Sequence, residues 1–117
     1  MIMELENLTV TNFALKVLGN STPCVIKFYR NTCFQCTTLK PIVLKLAKKY
    51  EGQLRFFLVH DKKDNAELGK LFKIDGVPSI FLFSRGGRIE VPYPEYGFNE
   101  KYLDEKFANY LQTQKGE

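Results

Sequence analysis

The 117-residue chain has no tryptophan, a single histidine and only three cysteines. Three cysteines are too few for the disulfide framework that staples small secreted domains. Ten Phe and six Tyr supply apolar area for a core without one. Apolar stretches run about four to six residues, far short of the ~20 that span a bilayer. The opening MIMELENLTV has no positively charged region leading into an apolar run, so it does not read as a secretory signal. The net charge is +4, yet no basic cluster is denser than the Lys doublets at 48–49 and 62–63, which lie beside acidic residues. That describes a solvated surface with a modest preference for acidic partners, not a nucleic-acid footprint. Repeats, low-complexity tracts and long linkers are also missing, and the length suits one domain over residues 1–117. These absences predict a cytoplasmic monomer with neither membrane nor nucleic acid as partner.

What is present is a clear apolar periodicity. Residues 2–7 alternate, as in a short strand. Thr9 can cap a helix through Asn12–Leu18 that Gly19-Asn20 ends. CVIKFYR at 24–30, LRFFLVH at 54–60 and SIFLF at 79–83 are nearly continuous apolar runs, which predicts buried strands. From Cys33 onward, Leu39, Ile42, Val43, Leu46, Ala47 and Tyr50 share one helical stripe, with Pro41 inside it as an expected kink. Asp64 or Asn65 can cap a short helix carrying Leu68, Leu71 and Phe72. SRGGR at 84–88 predicts a hairpin turn whose glycines supply positive φ, followed by a strand over 88–92. Asn99 can cap a last helix with Tyr102, Leu103, Phe107, Tyr110 and Leu111 on one stripe. The order β-α-β-α-β-α-β-β-α predicts an α/β fold of three layers around a mixed central sheet.

Chemistry concentrates in NTCFQCTTLKP at 31–41. Cys33 and Cys36 fall where a strand gives way to a helix, the end of an α/β sheet at which sites gather. Unpaired N–H groups and the positive end of the helix dipole then point at Cys33 and lower its pKa below the ordinary value of about 8.5. Cys33 is the expected exposed nucleophile, and Cys36, one turn on, is near enough to resolve a mixed disulfide. Two other readings stand beside this one. The pair could be two ordinary thiols at a helix start, or half of a metal site completed by Cys24 and His60. Cys24 opens the strand that leads to Cys33, and six strand residues span roughly 17–20 Å. It therefore reads as a small buried hydrophobe, which leaves a zinc site one ligand short, and no metal or other cofactor is expected.

Over nearly its whole length the sequence resembles the thioredoxin-like superfamily. The resemblance rests on Phe28-Tyr29 leading into Cys33-Phe34-Gln35-Cys36, on Lys40-Pro41, on Asp75-Gly76-Val77-Pro78-Ser79, on Gly86-Gly87 and on Gly97. It implies a thiol-disulfide oxidoreductase acting on protein or peptide disulfides, with electrons from a thioredoxin-reductase-like enzyme or a small thiol. It also implies a cis Val77–Pro78 bond beside the two sulfurs, with Thr32, Phe34, Val77, Pro78 and the region of Gly97 as the docking surface. Backbone groups of Val77 would pair with an extended substrate segment.

The chain departs from the family in two places. Thioredoxins typically carry W-C-G-P-C, whereas this chain has T-C-F-Q-C. Losing proline between the cysteines is expected to make the couple more oxidising, roughly between −180 and −270 mV. Lys27 stands six residues before Cys33, where the family usually has a buried acid that moves protons for the resolving thiol. It could snorkel, which the cost of burying an unpaired charge favours, or lie under Cys36 as a proton-transfer group. The segment VPYPEYG at 91–97 is longer than expected and could reshape the docking rim. A binding module with the same fold and no turnover is the alternative from another class.

Overall fold

A computed structural model describes residues 5–85 and 87–115. Residues 2–4 of the expected first strand and Gly86 of the expected turn lie outside the described residues. Strands β1 (Glu6–Leu8), β2 (Cys24–Tyr29), β3 (Arg55–His60), β4 (Ser79–Ser84) and β5 (Gly87–Glu90) form one sheet in the order β1-β3-β2-β4-β5. β1 and β2 run parallel to β3, while β4 pairs antiparallel with both β2 and β5. Helices α1 (Phe34–Lys49) and α3 (Glu100–Lys115) cover one face, and α2 (Ala66–Phe72) lies on the other. The chain thus has the expected three-layer α/β fold with a mixed sheet.

Strand alternation sorts the core into two layers. Val25, Ile80 and Leu82 point toward Leu39, Val43 and Leu46 of α1 and Leu103 and Phe107 of α3. Cys24, Ile26 and Phe28 point the opposite way, with Phe81 and Phe83, toward Phe13, Leu68 and Phe72. Phe72 stands at the centre of that second layer, edge-on to Phe13 and Phe81 and tilted against Phe28. Burying each such ring contributes about 1.5–3 kcal/mol, which is why a chain this short holds together without structural disulfides.

Several local expectations need correction. The first helix is a single π-helical turn, Ala14–Leu18, closed by the Gly19 N–H on the Ala14 carbonyl at 3.0 Å. A Cβ at Gly19 would sit 3.0 Å from the Leu15 carbonyl oxygen, so glycine permits this closure. Thr9 and Asn12 do cap reciprocally, each side-chain oxygen accepting the other's backbone N–H. Neither Asp64 nor Asn65 caps α2 through its side chain; Asn65 is buried and donates to the His60 carbonyl instead. Leu71 turns outward, 52% exposed. Arg85 is left-handed (φ 52°) at the β4–β5 turn, and Gly87 already lies inside β5. Asn99 caps α3 as expected, accepting the Tyr102 N–H at 2.9 Å.

Candidate active site

The turn between β2 and α1 closes when the Cys33 N–H meets the Arg30 carbonyl at 3.4 Å. Cys33 is extended (φ −95°, ψ 111°) and occupies the N-cap position of α1. Its Sγ accepts the Cys36 N–H at 3.1 Å, the place a serine or aspartate oxygen takes in an ordinary cap. Cys33 and Cys36 form a disulfide with their Cα atoms 5.1 Å apart. Cys33 is half-buried, whereas Cys36 is 4% exposed, so the outer sulfur belongs to Cys33. The N–H and Oγ1 of Thr37 both donate to the Cys33 carbonyl, which fixes the first turn.

The antiparallel pairing of β2 with β4 brings the second half of the site alongside. Phe28 faces Ser79 in the register, so Pro78 stands level with the exit of β2. The Val77–Pro78 peptide bond is cis, and the Ser79 hydroxyl donates to the Gly76 carbonyl at 2.5 Å. Pro78 and Gly97 line a shallow cavity of about 120 Å³ together with Gln35, Leu39, Tyr93 and Phe98. Thr32, Phe34 and Val77 are not part of its wall; Phe34 projects outward, 81% exposed, and Val77 packs against the second core layer. Gly97 has φ +86°, and a Cβ there would lie 3.2 Å from the Tyr93 hydroxyl. The sequence reading missed the bond from that hydroxyl to Oε1 of Gln35; the unusual length of the 91–97 segment was the available signal.

Lys27 does not snorkel. It is 3% exposed, and its Nζ donates to the Cys36 carbonyl at 3.2 Å. The physical reason is parity: Lys27 follows Val25 by two on the same face of β2, so its side chain points under α1. Burial pushes its pKa down to about 8, and the Lys40 charge pushes the same way. Among the described residues no carboxylate pairs with it.

The other expected positions have plain surroundings. Cys24 is buried at the opposite end of β2, its thiol donating to the Thr22 carbonyl at 3.5 Å. Burial pushes that thiol up to about 11, with the Arg55 charge opposing. His60 stacks on Tyr29, ring centroids 4.9 Å apart. Among the described residues no three His, Cys, Asp or Glu side chains group to hold a metal ion, and no helix is long and apolar enough to cross a membrane.

Comparison with known proteins agrees with this geometry. The family model described as Thioredoxin matches residues 4–111. A thioredoxin of Borreliella burgdorferi is 30% identical over 95 residues, covering 73% of this chain and 80% of that protein. One from Pyropia yezoensis is 24% identical over 88 residues, 75% of this chain and 81% of its own length. The crystal structure of chloroplastic thioredoxin z superposes with a TM-score of 0.76 over 97% of this chain and 98% of that one, at 15% identity, and shows the shared fold. With a paired Cys33 and Cys36 at the head of α1 and the family model spanning both core layers, the chain belongs to the thioredoxin family and is a protein-disulfide oxidoreductase of that family.

Proposed function

We propose that Cys33 is the attacking thiol and Cys36 the resolving one. The Cys33 thiolate displaces one sulfur of a substrate disulfide and forms a mixed disulfide. Cys36 then gives up its proton and attacks Cys33 Sγ, so the second substrate sulfur leaves as a thiol and the Cys33–Cys36 disulfide forms. Two electrons pass to the substrate, and a reductase or small thiol returns them. The observation that carries this reading is the asymmetry of the pair, Cys33 half-buried at the N-terminus of α1 and Cys36 only 4% exposed. Helix N–H groups favour negative charge on Cys33. Lys27, buried and bonded to the Cys36 carbonyl, is the group that takes the Cys36 proton in its neutral form; its burial and its contact with Cys36 support this role. An extended protein or peptide segment docks along Val77 and Pro78, within reach of Thr32, Phe34 and Gly97. A reducing compartment such as the cytoplasm suits this cycle, and a single chain supplies every group in it.

The test is equilibration in a graded thiol-disulfide buffer, with free thiols trapped and counted by mass. The expected result is a two-electron transition confined to Cys33 and Cys36, centred roughly between −180 and −270 mV. A pair that stays reduced throughout would instead leave the fold as a binding module without turnover.

A further inference from the structure

Behind Cys36, on the side away from the docking rim, the fold forms a half-open cavity of about 430 Å³, within the size range of small-molecule sites. Its walls differ in character. Leu5, Val43, Leu44 and Leu58 form an apolar side, while Lys27 and Lys40 supply two cationic groups. The remaining charged or titratable groups on the wall are Tyr29, Arg30 and Cys36, and Arg30 is already paired with Asp61 at 2.6 Å. No carboxylate lines the cavity among the described residues. Lys27 is more than nine-tenths buried there, and among the described residues a carbonyl is its one partner. A buried cation held this way lacks the counter-charge that normally compensates desolvation.

We propose that this cavity is a binding site for a small organic carboxylate, its apolar body against Leu5, Val43, Leu44 and Leu58 and its headgroup on the ammonium groups of Lys27 and Lys40. Inorganic phosphate fits less well, because it leaves the leucine and valine wall uncovered. A bound carboxylate needs Lys27 protonated, whereas accepting the Cys36 proton needs it neutral. Occupancy therefore withholds the acceptor and slows resolution of the mixed disulfide. This second consequence rests on Lys27 serving Cys36 as proposed above; the binding itself does not.

The experiment is an amide NMR titration of the oxidised full-length protein with benzoate, benzyl alcohol and inorganic phosphate in parallel. Benzoate is expected to shift resonances around Lys27, Cys36, Lys40 and Leu58 saturably, with the two controls weaker. Losing one charge-assisted hydrogen bond in Lys27→Met is expected to weaken benzoate about tenfold or more. Lys40→Gln, at an exposed position, gives the same readout should the buried substitution disturb folding. Benzyl alcohol or phosphate binding as well as benzoate, no saturable shift, or unchanged affinity in both variants would overturn the site. Stopped-flow resolution of a preformed mixed disulfide is then measured with benzoate saturating. Slower resolution supports the coupling. Tight benzoate with unchanged resolution keeps the site and removes Lys27 as acceptor.

Discussion

The Tyr93 hydroxyl donates to Oε1 of Gln35 at 2.5 Å, tying the loop before α3 to the dithiol turn across 58 residues of sequence. Gln35 lies between the two cysteines, so the docking rim and the reactive turn are one mechanical piece. Removing this exposed bond in Tyr93→Phe should cost no more than about 1 kcal/mol of stability. Peptide-disulfide reduction should show KM raised about two- to tenfold with kcat nearly unchanged, because the rim loosens while the sulfurs stay in place. Steady-state kinetics on a disulfide peptide checks the split.

Lys27→Met should stabilise the protein at neutral pH. The folded amine titrates near 8 and the unfolded one near 10.5. Between those values the unfolded chain binds more protons, so stability rises with pH. The cost of the buried charge, at most about 3 kcal/mol, is fully present below pH 8 and gone above 10.5. Urea unfolding at pH 7 and pH 10.5 should show the gain from methionine shrinking toward zero at the higher pH.

Cys36→Ser should accumulate the mixed disulfide through Cys33, and Cys33→Ser should form none. Nonreducing mass analysis after mixing with a disulfide peptide separates the two. Equal trapping by both variants would contradict the assignment of the outer sulfur.

Cys24 should remain a silent thiol. Its folded pKa of about 11 lies above the ordinary thiol value, so the unfolded thiol ionises first and stability falls as pH rises between the two. Iodoacetamide at pH 8 should label Cys33 and spare Cys24 in the reduced native protein, and should label all three thiols once it is unfolded.

Tyr50 anchors α1 to α3 by bonding the Asp104 side chain and, at 3.2 Å, the Asp104 carbonyl. Lys49 and Tyr50 hold the Asp104 carboxyl below its ordinary value. Tyr50→Phe should lose about 1–2 kcal/mol. The loss is complete above the usual carboxylate range and should narrow as acid protonates Asp104, which urea unfolding at pH 7 and pH 3 would read.

The parts of the fold that were legible in sequence are those where periodicity meets deep burial. β2, β3 and β4 are almost wholly apolar, and the stripe from Leu39 to Tyr50 can form only one helical face, so element types and order followed directly. The cysteine pair was legible because its residue types and spacing restrict the chemistry, and the cis bond before Pro78 was legible through the family resemblance alone. Lys27 was misread because a charge in an apolar strand weighs toward solvent, and only the register of β2 under α1 decides which face it takes. The left-handed conformation of Arg85 was not foreseen, since turn closure depends on where the β4–β5 ladder ends. The Gln35–Tyr93 bond joins two segments that come together only in the tertiary fold, and no local pattern announces it.

Phe28 faces Ser79 across two antiparallel strands, so cysteine turn and proline are neighbours by ladder pairing. The stretch from Asp61 to Ile74 takes no part in that pairing. Lengthening or trimming its exposed loops alters the route and leaves the destination where it was, while Leu68 and Phe72 stay fixed by the core. A slip of one step between β2 and β4 is another matter. It would shift Pro78 along the strand and turn Lys27 to the wrong face, so inheritance of the site is carried by five paired positions more than by the length of chain between them.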